Sequence, residues 1–282
     1  MQTTITPEQW SAFEQNGYVK LGNVAGDEMI RNLQQRIDDI MLGRANVNYA
    51  KMSMQLDTPN DDYEKDENVR LSSVTLGGPG HKGATLNYRK IQDLEFDPFF
   101  LRFIQLPIFA EACQHLYGED TPIAVMRAMF MNKPAGRGMS LRWHQDAWNF
   151  LDQTPILTTW TALDPATRAN GCVKIVPGSH RARINPSSAN GFLTPEQTKK
   201  HCQDKHVVYM ELEAGETVLL HNWLLHSSER NNTNTSRRAF SNTYMNADAQ
   251  RTDAKPYNYT PIFGPGALQV EKLEVNLDSN AK

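Results

Sequence analysis

From Ile123 to Asn246 the chain is cut into short apolar runs by Pro, Gly and Asn turns, and no other feature restricts its fold as much. The runs are IAVMRAMFMN, ILTTWTAL, CVKIVPG, VVYMEL, TVLLHNWLLH and RAFSNTYMN. Several short strands spaced by tight turns pack as an antiparallel sandwich or barrel. The expectation is a mainly β chain with flanking helices, whose jelly-roll core covers about residues 119–250.

Helices precede that core. Thr6-Pro7-Glu8-Gln9 has the composition of a capping box with Pro at the first helical position, and Gly17 suits the stop. A strand over Tyr18–Leu21 should follow. Met29, Ile30, Leu33, Ile37, Ile40 and Met41 recur at three- and four-residue steps and predict a helix over about 27–42. The stretch 98–117 reads helical with a break at Pro107. Between these helices, 44–86 is polar and without period, the texture of a lid-like loop. Its acidic run DDYEKDE at 61–67 reads as a solvated face. Residues 251–282 read as an irregular extension laid over the barrel.

At 282 residues one decorated barrel domain accommodates the whole chain, 1–282, with a helical shoulder and lid over about 1–118. No segment approaches the run of about 20 apolar residues that spans a bilayer, so no membrane partner is expected. The net charge of -3 with dispersed Lys and Arg gives no footprint for nucleic acid. A small-molecule substrate is the expected partner, and the oligomeric state is not legible. Cys113, Cys172 and Cys202 are odd in number and widely spaced, which argues for a reducing compartment. The N-terminus lacks the pattern of a secretory signal and the C-terminus is not of the SKL type, so the expected location is cytoplasmic.

His144-Gln145-Asp146 sets two ligand-type side chains two residues apart, which on a strand puts both on one face. Chance alone supplies roughly 0.5 such His-x-Asp triplets in a chain of this composition, so the pair needs a third partner. TVLLHNWLLH offers two candidates, His221 and His226. An odd separation on a continuous strand places them on opposite faces, unless a bulge intervenes. Two imidazoles and a carboxylate leave coordination positions open on iron for O2 and a bidentate co-substrate. Arg237-Arg238 follows, and a guanidinium fork suits a carboxylate. One of the two should face inward to hold it, the other outward to solvent. Trp148, Asn149 and Trp223 lie beside the proposed ligands and are candidates for the substrate pocket, although buried aromatics also simply pack small barrels. His180, His201 and His206 have no carboxylate at ligand spacing and read as solvated.

Taken in order, NGYVKL, KIQDL, NKPAG, WHQD, TWTALD, NGCVKIVPGSH, AGETVLLHNWLLHSS and RRAF resemble the phytanoyl-CoA dioxygenase family over about residues 5–250. The resemblance implies a cupin-like double-stranded β-helix and an Fe(II)- and 2-oxoglutarate-dependent dioxygenase with O2 as second co-substrate. Such an enzyme oxidises, in most cases hydroxylates, a C–H bond and releases succinate and CO2. It implies iron ligation by His144, Asp146 and His226, and 2-oxoglutarate binding by Arg237. By the same matching Lys90, Trp160 and Ser228 are further co-substrate contacts. Asp146 stands where related iron halogenases have a small residue, which disfavours halogenation. The 44–86 region matches nothing that would specify a phytanoyl-CoA substrate. A zinc-dependent hydrolase and a non-catalytic ligand-binding jelly roll are the rival readings.

Overall fold

The computed structural model describes residues 1–57, 78–188, 190–253 and 257–279. Its helices are α1 (Pro7–Asn16), α2 (Asp27–Met41), α3 (Pro98–Ile104), α4 (Pro107–Tyr117), α5 (Pro195–His201) and α6 (Val270–Ser279). Its strands begin with β1 (Tyr18–Asn23), β2 (Met54–Leu56), β3 (Tyr88–Ile91), β4 (Ile123–Lys133), β5 (Leu141–His144) and β6 (Leu157–Ala162). They continue with β7 (Val173–Ile175), β8 (Val208–Met210), β9 (Glu216–His221), β10 (His226–Ser228), β11 (Arg237–Asn246) and β12 (Pro261–Phe263).

Local chemistry sets the shoulder. Thr6 and Gln9 close the capping box of α1, and Gly17 ends it at φ 77°. The α2 stripe Ile30, Leu33, Ile37, Ile40 and Met41 is buried. Asp97 caps α3 through the Phe99 and Phe100 amides and accepts 2.8 Å from Arg36 of α2, which locks the two helices together. Pro107 separates α3 from α4 by opening the second helix.

Two antiparallel sheets form the barrel. The larger runs β1-β9-β6-β11-β4-β3-β2, with β12 added against β4, and the smaller runs β5-β10-β7-β8. Alternation along β11 divides the core. Phe240 and Tyr244 point out to the helices, joining Ile37, Phe100, Phe103 and Phe109. Ala239 points in, joining Trp160, Ile175, Met210 and Leu224 between the sheets.

Four expectations need correction. TVLLHNWLLH is not one strand: β9 ends at His221, and after a turn β10 begins at His226 in the other sheet. The chain crosses between layers there, so strand parity does not relate the two histidines. Residues 251–282 are not simply irregular, because β12 and α6 lie within them. Ile262 and Val270 are buried, and Gln105 Nε2 donates 2.8 Å bonds to the carbonyls of Ile262 and Leu268. His180 is buried rather than solvated, its ring facing His221 at 5.1 Å, since the turn preceding it folds back onto α1. The 44–86 segment is partly ordered into the edge strand β2, while its acidic run at 61–67 lies outside the described residues.

Candidate active site

His226 pairs across the small sheet with His144, and Asp146 lies just beyond the end of β5. The Asp146 backbone N–H donates 2.8 Å to the Asn222 carbonyl, which ties the segment after β5 to the turn between β9 and β10. As a result three donor atoms converge. His144 Nε2 is 3.9 Å from Asp146 Oδ1, and His226 Nε2 is 3.7 Å from Asp146 Oδ2. One ligand atom from each residue falls within 4.8 Å of the others, and among the described residues this is the cluster able to hold a metal ion.

The imidazoles are also oriented for ligation. His144 Nδ1 lies 2.9 Å from the Arg142 carbonyl and His226 Nδ1 lies 2.9 Å from the Leu224 carbonyl. Each Nδ1 must therefore carry the proton, which leaves the Nε2 lone pair on the side of Asp146. His221 has the opposite arrangement. Its Nδ1 accepts from the Trp223 amide at 3.0 Å, and burial, with His180 nearby, pushes its pKa down to about 4.

The site opens into a pocket of about 100 Å³ between the two sheets. Lys90, Trp160, Ser228 and Arg237 all line it. Arg237 is buried at 3% exposure with its guanidinium over the Trp160 ring at 5.4 Å. Its Nε and Nη1 and the Trp160 Nε1 are buried without a hydrogen-bond partner among the described residues. Burial lowers the Arg237 pKa to about 10. An unpaired buried guanidinium is costly to keep unless an anion completes it. Lys133 of β4 stands directly opposite Arg237 of β11, its ammonium bonded to the Met139 carbonyl. Burial, with Arg237 and Arg89 nearby, holds the Lys133 pKa well below the usual lysine value.

The remaining expectations divide. Trp148 is buried, but it packs with Leu151, Met245 and Ala249 and meets the pocket only through Arg127, which lies over its ring. Asn149 is exposed and Trp223 lies beside His221 outside the pocket lining, so neither is brought into the cavity. Both sit in turns that carry their side chains past the wall. Arg238 does not face bulk solvent: it forms a two-pronged pair with Asp164 at 2.8 Å and reaches Asp38 of α2 at 2.6 Å. The outer face of β11 is covered by the shoulder, which leaves that arginine partnered. The sequence reading passed over Lys133, Arg127 and Asn222. The signal for Arg127 was available, as a single charge inside the apolar run IAVMRAMFM.

Two imidazole nitrogens and a carboxylate at one point, opening on a pocket that ends in an unpartnered guanidinium, define the class of non-haem iron oxygenases that use 2-oxoglutarate. The donor set and the orphaned Arg237 atoms fit both groups. The model of the phytanoyl-CoA dioxygenase (PhyH) family matches residues 13–239, and the chain belongs to that family. A probable phytanoyl-CoA dioxygenase of Caenorhabditis elegans is 29% identical over 88% of this chain and 77% of its own length. The peroxisomal phytanoyl-CoA dioxygenase of Homo sapiens is 26% identical over 89% of this chain and 71% of its own. The crystal structure of EctD from S. alaskensis with 2-oxoglutarate and 5-hydroxyectoine superposes with a TM-score of 0.65 at 18% identity, covering 94% of this chain and 86% of that one.

Proposed function

We propose that this enzyme hydroxylates an unactivated C–H of a small organic metabolite or natural-product intermediate, consuming 2-oxoglutarate and O2 and releasing succinate and CO2. The observation that carries the reading is the pairing of the His144–Asp146–His226 cluster with the orphaned Arg237 guanidinium in one pocket. A zinc-dependent hydrolase would leave that guanidinium without a purpose.

Iron(II) held by His144, Asp146 and His226, together with 2-oxoglutarate, supplies the O2-dependent oxidation. The chain's own residues orient the reactants. Arg237 would hold the far carboxylate of 2-oxoglutarate by charge-assisted N–H···O bonds, which fixes its position. Ser228 supplies a hydroxyl from β10 of the small sheet, and the large sheet supplies the Trp160 indole N–H from β6 and the Lys90 cation from β3. Met129, Met131 and Leu220 give the cavity apolar surface that limits water around the reacting carbon.

We propose the cytoplasm as the compartment of this chain; its three free cysteines suit a reducing environment. Imaging of the tagged protein against cytoplasmic and organellar markers tests that assignment.

The function is tested by adding Fe(II) and 2-oxoglutarate to metal-free protein without oxygen. The weak visible charge-transfer band of an iron-bound 2-oxo acid is expected, and Asp146→Ala or Arg237→Ala should remove it. Folded, iron-loaded protein that gives no band would overturn the reading.

A further inference from the structure

At the end of the pocket away from Arg237 stands a second cation that the iron and co-substrate chemistry does not use. Arg127 lines the cavity from β4, opposite Thr243 of β11, whereas Arg237 stands opposite Lys133 on the same ladder. Six residues of strand separate Arg127 from Lys133, about 20 Å. The two guanidiniums also lie over different indoles, Arg127 over Trp148 and Arg237 over Trp160.

Arg127 is held ready rather than neutralised. Its guanidinium lies 5.1 Å from the centroid of the Trp148 ring, and that indole is itself fixed among Leu151, Met245 and Ala249. No carboxylate pairs with Arg127 among the described residues. Stacking on an indole leaves the edge of a guanidinium, with its N–H donors, available to an oxyanion.

A second open donor lies along the same wall. Thr243 Oγ1 and Thr158 Oγ1 are 2.9 Å apart, and Thr158 Oγ1 donates 2.6 Å to Asn222 Oδ1. That bond fixes the amide, so Asn222 presents Nδ2 elsewhere. The residue is 2% exposed and lines the pocket, and this Nδ2 is buried without a partner among the described residues. Its backbone carbonyl holds the Asp146 amide, which puts Asn222 beside the metal ligands. Arg127 and Asn222 stand three strands apart, about 14 Å at the backbone, so they serve different atoms of one molecule.

We propose that Arg127 selects a substrate bearing a carboxylate, and that Asn222 donates to a second polar acceptor of that substrate, setting the carbon between them next to the iron ligands. The proposal rests on the oxygenase reading above and names the substrate class for that site.

The test uses protein loaded with Fe(II) and 2-oxoglutarate under anaerobic conditions, titrated with the common amino acids and with straight-chain C4–C10 acids, each against its own primary amide. Tryptophan fluorescence, in which Trp148 reports on Arg127, gives the binding curve. At least one acid should bind saturably and about tenfold or more tighter than its amide, the loss expected for a charge-assisted hydrogen bond. Arg127→Gln should abolish that preference, and Arg127→Lys should restore part of it. Equal binding of acid and amide to the wild-type protein, a preference that survives in Arg127→Gln, or no binding by any acid would overturn the proposal. The visible band in the same samples separates the two levels. A band with no acid preference overturns only the substrate class, whereas a missing band removes the oxygenase reading and leaves the fluorescence result to decide on Arg127.

Discussion

His226 stands directly across an antiparallel ladder from His144, their ring centroids 4.0 Å apart, although 82 positions separate them in the chain. The pairing comes from β5 and β10 being neighbours in the small sheet. It makes the metal site a property of strand register, with both rings held by backbone carbonyls of their own segments.

Replacing His226 by Ala should abolish stoichiometric Fe(II) binding, while His221→Ala should keep it, because His221 already accepts the Trp223 amide through Nδ1. Metal analysis after gel filtration decides this. Equal loss in both variants would contradict the assignment of the third ligand.

Arg237→Lys keeps a positive charge but loses the planar fork. The concentration of 2-oxoglutarate needed for half-maximal turnover should rise by about 10- to 100-fold, as expected for losing a charge-assisted bidentate contact. A steady-state titration of succinate release at saturating Fe(II) measures it.

Arg238→Ala should leave that titration unchanged and lower stability instead. Its guanidinium joins Asp164 and Asp38 at only 18% side-chain exposure. Removing it strands two carboxylates in partly buried surroundings, a loss of about 2–4 kcal/mol. Urea denaturation followed by circular dichroism provides the comparison.

His221 gives the fold a pH dependence. Its folded pKa of about 4 lies below the usual histidine value, because burial penalises the charged ring. The unfolded chain therefore binds the extra proton first. The stabilisation is complete above about pH 6.5 and is lost as the pH falls through about 4. His221→Gln should flatten the slope of unfolding free energy between those values, read from denaturation midpoints at each pH.

Much of this is legible in the sequence itself. The apolar stripe of α2, the capping box of α1 and the break at Pro107 are local effects, and they appear where the residues place them. His144, Asp146 and Arg237 were legible because ordered motifs carried them. What escaped was decided between layers. The turn at Asn222–Leu225 moves the chain from one sheet to the other, and no local period announces such a crossing. Arg238 read as a solvated cation because its partners Asp164 and Asp38 are 74 and 200 residues away. Asn149 is close to Asp146 in sequence, yet the turn after β5 carries it to the surface.

Adjacent arginines on β11 thus divide two tasks by parity alone, one turned into the pocket and the other clasping the shoulder. The pair works like the teeth of a gauge. Sliding β11 by a single residue would put Arg238 in the cavity, release α2 and expose Phe240 and Tyr244 to the barrel interior, all at once. A misthreaded chain would therefore lose its anion seat and its helical coat in the same step. Any protein that has completed its outer layer has, by the same registration, already turned its other guanidinium into the pocket.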